Sequence, residues 1–172
     1  MRPLWGLAAT LFTLAFAGSG PARAVDPNML GQYHARRIEL RKSLDDGVTV
    51  LFGHREEDED LRAGFFQESN FYYLTGWREP GAILLLAPLP DDSHAPGYAA
   101  KAKLPREILF LPERNPDREK WTGRKIGPGD ENVRGVTGFE TVMPAERFET
   151  ELHHMLQAYA RIYTLTDQPA GT

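Results

Sequence analysis

The 172-residue sequence contains no cysteine. That excludes disulfides, a thiol nucleophile, a thiolate metal site and a lipid-modified cysteine behind a leader, so the fold must rest on an ordinary apolar core. Beyond its first 24 residues the sequence also lacks any apolar stretch approaching the roughly 20 residues that a bilayer-spanning helix needs. Basic charge is short, with 20 Lys and Arg against 24 Asp and Glu. Surfaces built for nucleic acid or anionic lipid carry the opposite balance. Ser69 has no Gly-x-Ser-x-Gly elbow around it. Gly127-Pro128-Gly129-Asp130 lacks the third glycine and the lysine of a phosphate loop, and reads as a turn.

What is present begins with a leader. Arg2 supplies a short basic segment, residues 4–17 are apolar, and Ala22-Arg23-Ala24 is a small-x-small cleavage site, the pattern of a secretory signal peptide over residues 1–24. Cleavage after Ala24 removes two basic residues, Arg2 and Arg23, and leaves 18 basic against 24 acidic in a chain of 148 residues (172 less 24). That length suits one domain with a single core. The expected product is exported, to the periplasm or the medium, and soluble after processing.

Periodicity places the elements. Asp26-Pro27 opens a helix expected over 27–44, with Met29, Tyr33, Leu40 and Leu44 on its apolar stripe and Arg36 and Arg37 in the gap; Gly47 ends it. Short apolar runs at 48–52, 82–86 and 108–111 lack strict alternation, as strands covered on both faces do. Pro144 opens a second helix whose Phe148, Leu152, Met155, Leu156 and Tyr159 share one face, and a last strand is expected over 161–165. This alternation predicts an α/β domain: a mainly central sheet with helices on its two sides. Residues 88–105 read as a long hairpin loop and 166–172 as the start of a linker.

Six of the eighteen aromatic residues crowd into 65–80, with a turn at Thr75-Gly76 and Glu79-Pro80 leading into the strand at 82–86. Rings that bury roughly 150–250 Å² each make this segment a packing keystone. The acid run Glu56, Glu57, Asp58, Glu59 and Asp60 lacks the spacing and central glycine of a calcium loop and reads as a solvated loop. His153 and His154 are adjacent, so their side chains diverge by about 100° and do not share a metal-binding face. His34, His54 and His94 are isolated. Asn115-Pro116-Asp117 starts a short helix that stops at Gly123. Trp121 at its end either plugs the core or stands exposed at an interface or pocket rim, and the sequence leaves both open.

Four segments carry a resemblance. Tyr33-His34-Ala35-Arg36-Arg37, the string from Gln67 through Phe71-Tyr72-Tyr73-Leu74-Thr75 to Gly76, Glu79-Pro80 before an apolar strand, and Trp121-Thr122-Gly123-Arg124 together resemble the N-terminal domain of Xaa-Pro aminopeptidase (aminopeptidase P). Order and spacing agree over about 29–165. The resemblance implies an α/β domain with a mixed sheet, of the creatinase/prolidase N-domain type, ribonuclease H-like, followed in the family by a "pita-bread" domain. There two Asp, one His and two Glu hold a pair of Mn²⁺ ions and the bond before a proline is cut. It implies that this chain supplies no metal ligands of that set, forms homo-oligomers with help from this domain, and touches peptide substrate through Trp121 and Asp60. Phe66 stands where the family usually has arginine, and Ala63 where tyrosine is common. The alternative is a stand-alone, non-catalytic exported binding or assembly module with the same fold.

Overall fold

The computed structural model describes residues 25–55, 65–89 and 101–165. Within them five strands form one sheet: β1 (Gly47–Phe52), β2 (Ile83–Leu86), β3 (Glu107–Leu111), β4 (Thr141–Pro144) and β5 (Arg161–Tyr163), in the order β4-β3-β2-β1-β5. β1 runs antiparallel to β2 and parallel to β5, while β3 runs antiparallel to β2 and parallel to β4. The sheet is therefore mixed, as expected. At one edge β4 ends on Pro144, which has no N–H to offer, and at the other β5 is only three residues long. Both devices limit edge-to-edge pairing.

Side chains alternate across this sheet, yet both faces are apolar, because each is covered. Leu51, Leu84, Leu86, Leu109 and Leu111 point into one core, with Tyr33, Phe71, Trp77, Val133 and Phe139 packed over them. Val48, Val50, Leu85, Ile108 and Phe110 point into the other, under Met155 and Tyr159. Helices α1 (Leu30–Lys42), α2 (Ser69–Thr75) and α4 (Val133–Thr137) lie over the first face; α5 (Phe148–Leu156) lies over the second. A further short helix, α3 (Pro116–Thr122), follows β3.

Several boundaries differ from the expectations for physical reasons. The first helix is split into a 3₁₀ turn, Pro27–Met29, and α1, and it stops before Gly47: at Ser43 the backbone N–H and the hydroxyl both bond to the Leu40 carbonyl. Gly47 instead begins β1, where a Cβ would meet the Tyr163 ring at 2.6 Å. Pro144 does not open α5; it closes β4, and a 3₁₀ turn over Ala145–Arg147 intervenes. On α5 Leu156 falls outside the buried face, 39% exposed. The last strand covers 161–163 of the expected 161–165, and β4 and α4 carried too little apolar pattern to be foreseen. β2 and β3 are antiparallel neighbours, as the hairpin reading of 88–105 requires, although residues 90–100 lie outside the described ones.

The aromatic segment is a keystone by burial, but not throughout. Glu68 caps α2, its carboxylate accepting from the N–H groups of Asn70 (3.0 Å) and Phe71 (2.6 Å). Phe71, Leu74 and Trp77 go into the core, whereas Phe66 and Tyr73 are exposed. Gly76 ends the helix with φ of 66°, and a Cβ there would collide with the Tyr33 ring. Only glycine meets both demands.

The largest departure lies on α1. Its buried positions are Tyr33, Arg37 and Arg41, spaced i, i+4, i+8, and not the expected Met29, Leu40 and Leu44, which are half-buried. Arg37 is completely buried, and Arg41 is 4% exposed. Both reach Glu107 at the start of β3: Arg37 Nε donates to Oε2 and Arg41 Nη1 to Oε1, each at 2.7 Å. Burial pulls the Arg37 guanidinium below its usual range, and the Glu107 charge opposes that fall. Removing one partner of such a buried set leaves uncompensated charge. Glu107→Ala should therefore cost about 3–5 kcal/mol, read as a lower urea midpoint. A cost under about 1 kcal/mol, the size of an exposed pair, would show that α1 does not depend on this contact.

Candidate functional site

The candidate site lies at α3 and the segments that face it. Asn115 caps α3, its side-chain oxygen accepting from the N–H groups of Asp117 and Arg118 at 3.1 Å, with Pro116 in the first turn. The helix stops at Gly123, whose φ of 78° is open to glycine. This matches the expected helix and its stop.

A charged brace holds α3 in place. The Arg114 guanidinium grips Glu119 through two bonds, Nε to Oε1 at 2.8 Å and Nη2 to Oε2 at 2.6 Å. Glu119 Oε1 also accepts from the Lys125 N–H at 3.2 Å. Asp130 receives the Gly127 N–H at 3.0 Å and Arg124 Nη2 at 3.2 Å, so the Gly-Pro-Gly-Asp stretch is a turn pinned by its own aspartate, as anticipated. The Arg114 bonds hold the Glu119 carboxyl down to about 2. The Gly127 N–H, ahead of Arg124, lowers the Asp130 carboxyl.

On this braced helix Trp121 is 91% exposed. The core-plug reading is thereby excluded, and the indole stands in solvent at the C-terminal end of α3. Asp60, the other residue tied to substrate by resemblance, lies outside the described residues, as do the acid run 56–60, Ala63 and His94. Phe66, in the position of the family arginine, is 77% exposed and cannot repeat a polar contact of that group. His153 and His154 are both exposed, and His154 Nδ1 lies 3.6 Å from a Glu151 carboxylate oxygen. Among the described residues no three of His, Asp and Glu come together as a metal site would require.

Behind α3 lies a cleft of about 230 Å³ whose walls include Trp77, Glu79, Pro80, Pro112, Arg118 and Lys125. Burial pushes the Glu79 carboxyl up; the Lys125 charge opposes this and Glu119 reinforces it. Gln67 fixes the approach to the cleft, accepting from the His54 N–H at 2.6 Å and donating to the Glu79 carbonyl at 2.9 Å. Sequence reasoning passed over Glu79 as a site residue. A glutamate between an aromatic knot and Pro80 was the available signal, because chain entering a buried strand carries its neighbours inward.

The described domain is a mixed α/β unit with a five-stranded sheet. The family model for the aminopeptidase P N-terminal domain matches residues 33–163, and the chain belongs to that family. A Xaa-Pro aminopeptidase of Haemophilus influenzae is 31% identical over 150 residues, covering 81% of this chain and 32% of its own length. Xaa-Pro aminopeptidase 3 of Dictyostelium discoideum is 34% identical over 112 residues, 63% of this chain and 19% of its own. Among solved structures, Pseudomonas aeruginosa aminopeptidase PepP superposes with a TM-score of 0.62 at 24% identity, over 81% of this chain and 29% of that one. An Escherichia coli aminopeptidase P variant gives 0.65 at 22%, over 82% and 30%. The chain thus spans about a fifth to a third of the length of these relatives.

The brace has a pH signature. Because the folded-state value of Glu119 lies below that of a free glutamate, the pair's contribution is complete above the ordinary range and is lost only as pH falls toward about 2. Carboxyl-detected NMR should find Glu119 still ionised at pH values where the exposed glutamates have titrated. Arg114→Ala should return it toward the ordinary range. An unchanged Glu119 titration in that variant would mean that the Arg114 bonds are not what holds the carboxyl down.

Proposed function

We propose that this chain is the oligomerisation and substrate-channel domain of an exported Xaa-Pro metalloaminopeptidase, an enzyme that removes the N-terminal residue preceding proline. Hydrolysis belongs to the following domain of such proteins, where a pair of metal ions, Mn²⁺ in the family, supplies an activated hydroxide and polarises the scissile carbonyl. The resemblance assigns the ligands of those ions to that domain and none of them to this chain. The work of this chain is to shape the channel and to meet a second subunit.

The observation that carries this reading is the Trp121 indole, 91% exposed on a helix whose position is fixed by the Arg114–Glu119 pair. A large aromatic ring in water has no packing role in its own domain, while rings of this kind anchor interfaces and stack on ligands. On this proposal Trp121, with Asp60, contacts peptide bound in the active site of a neighbouring subunit.

Trp121→Ala tests it in the full-length enzyme that contains this chain. Stability should stay within about 0.5 kcal/mol, as for an exposed substitution, while kcat/KM on Xaa-Pro peptides of three or more residues drops at least tenfold, with Xaa-Pro dipeptides less affected. Unchanged kcat/KM on the longer peptides would overturn the role given to the ring. The exported protein should begin at Val25, and N-terminal sequencing of secreted material checks the processing site.

A further inference from the structure

The first face of the sheet keeps an open groove where β1 meets β5. It has a volume of about 750 Å³ and lies between α1, α2 and the chain leaving β5, with Leu40, Leu44, Leu51, Leu74, Tyr163 and Leu165 along its walls. Tyr73, 56% exposed, also lines it. The polar groups beside these walls are already engaged within the domain. Arg36 donates to the Tyr73 carbonyl at 2.9 Å, Glu39 pairs with Lys42 at 2.7 Å, the Ser43 hydroxyl bonds to the Leu40 carbonyl at 2.7 Å, and Asn70 bonds to Glu68 at 3.0 Å. A small polar ligand would find few groups here to orient it. A contiguous apolar surface bordered by satisfied polar groups is instead what a protein face covers.

The chain itself runs into this groove. Past β5, Tyr163 and Leu165 are half-buried and Thr164 between them is exposed, so the alternation of a strand continues beyond the ladder. Leu165 packs against the first core. The parallel register pairs Thr49 with Tyr163, and β1 runs on to Phe52; carried forward, that register sets Leu165 beside Leu51 on the same wall. Polypeptide that follows Leu165 therefore leaves from within the groove. The matched domain is the N-terminal one of its family and this chain spans a third or less of its relatives, so in them most of the polypeptide lies beyond it. We infer that the groove is the seat of the domain that follows in such proteins: an apolar face of the polypeptide after Leu165 docks here, and docking extends β5 along β1 through Thr164 and Leu165. This rests on the reading of the chain as the N-terminal part of a Xaa-Pro aminopeptidase, and it adds which face holds the catalytic domain. The groove shares no lining residue with the α3 cleft, so α3 and Trp121 stay available to a neighbouring subunit.

Amide hydrogen exchange tests this by comparing the full-length enzyme that contains this chain with the 172-residue chain alone. Amides of 36–44, 49–52 and 161–165 should exchange roughly tenfold or more slowly in the full-length protein, with Thr164 and Leu165 gaining the protection of a ladder, while those of α5 keep their rates. Two variants place charge on the groove wall. Ala35→Glu acts at an exposed position, and Leu44→Lys acts at a half-buried one where the lysine stem can still cover apolar surface. The 172-residue chain should melt as before in either variant, and the full-length protein should lose the added protection at 161–165. Equal exchange in the two proteins, or added protection that survives both substitutions, overturns the proposal. So does added protection that disappears when the full-length protein is diluted to monomers, because a second subunit is then the occupant. Activity separates this result from the peptidase reading: cleavage of Xaa-Pro peptides without added protection sinks the groove assignment alone, and added protection without cleavage sinks the peptidase reading alone.

Discussion

The contact on which the described fold depends is the shared grip of Arg37 and Arg41 on Glu107. One carboxylate serves two buried guanidinium groups, leaving an excess positive charge inside the protein. Backbone carbonyls absorb it. Arg37 Nη1 donates to the Leu74 carbonyl at 3.0 Å and Nη2 to the Gly138 carbonyl at 3.1 Å; Arg41 Nε donates to the Ala87 carbonyl at 2.8 Å. The Arg37 guanidinium also sits 3.8 Å from the centre of the Phe139 ring. Leu74 lies in the last turn of α2 and Gly138 caps α4, so the carbonyls Arg37 satisfies are those that a helix end leaves without an intrahelical donor. A cation is also the favoured charge there. One side chain of α1 thereby closes two other helices and joins them to β3.

This arrangement explains why the aromatic segment lies where it does. Arg36, next along α1, donates to the Tyr73 carbonyl at 2.9 Å and lies 4.3 Å from the centre of the Tyr73 ring. Tyr33 meets Tyr72 edge-on at 6.3 Å between ring centres. Neighbouring arginines of α1 thus hold successive carbonyls at the end of α2, and Gly76 lets the chain turn away against the Tyr33 ring. Trp77 and Ala82 then enter the core, and β2 follows as the central strand of the sheet. Phe71 and Trp77 supply the apolar burial, but the polar contacts from α1 choose the orientation in which it happens.

The strands at 48–52, 82–86 and 108–111 were legible because continuous apolar runs have few alternatives to a strand covered on both sides. Helix α3 was legible because Asn115, Pro116 and Gly123 each have one local job. The polar core was not. Arg37 and Arg41 lie four residues apart on the Tyr33 face, but a sequence prices an arginine as exposed unless its partner is known, and Glu107 is some seventy residues away. β4 was missed because half-buried Thr141-Val142-Met143-Pro144 owes its state to parallel pairing with β3 rather than to pattern. Of the site, Trp121 was visible as a residue though its exposure was undecided. The Glu79 cleft was invisible because its walls come from three separated stretches, at Arg55, 77–81 and 112–126.

Around α3 the domain treats charge in two ways. Arg114, Glu119, Arg124 and Asp130 are spent on one another, and their geometry stiffens a short helix that could not hold its shape alone, since a seven-residue helix lies well below the roughly 12–15 residues at which isolated helices become even marginal in water. Glu79 and Lys125, which line the cleft behind that helix, make no ion pair among the described residues. Glu79 is half-buried, so its carboxyl keeps contact with solvent while burial still raises it. The fold fixes the frame and leaves the cleft polar and open, with an indole exposed on the helix that forms its wall.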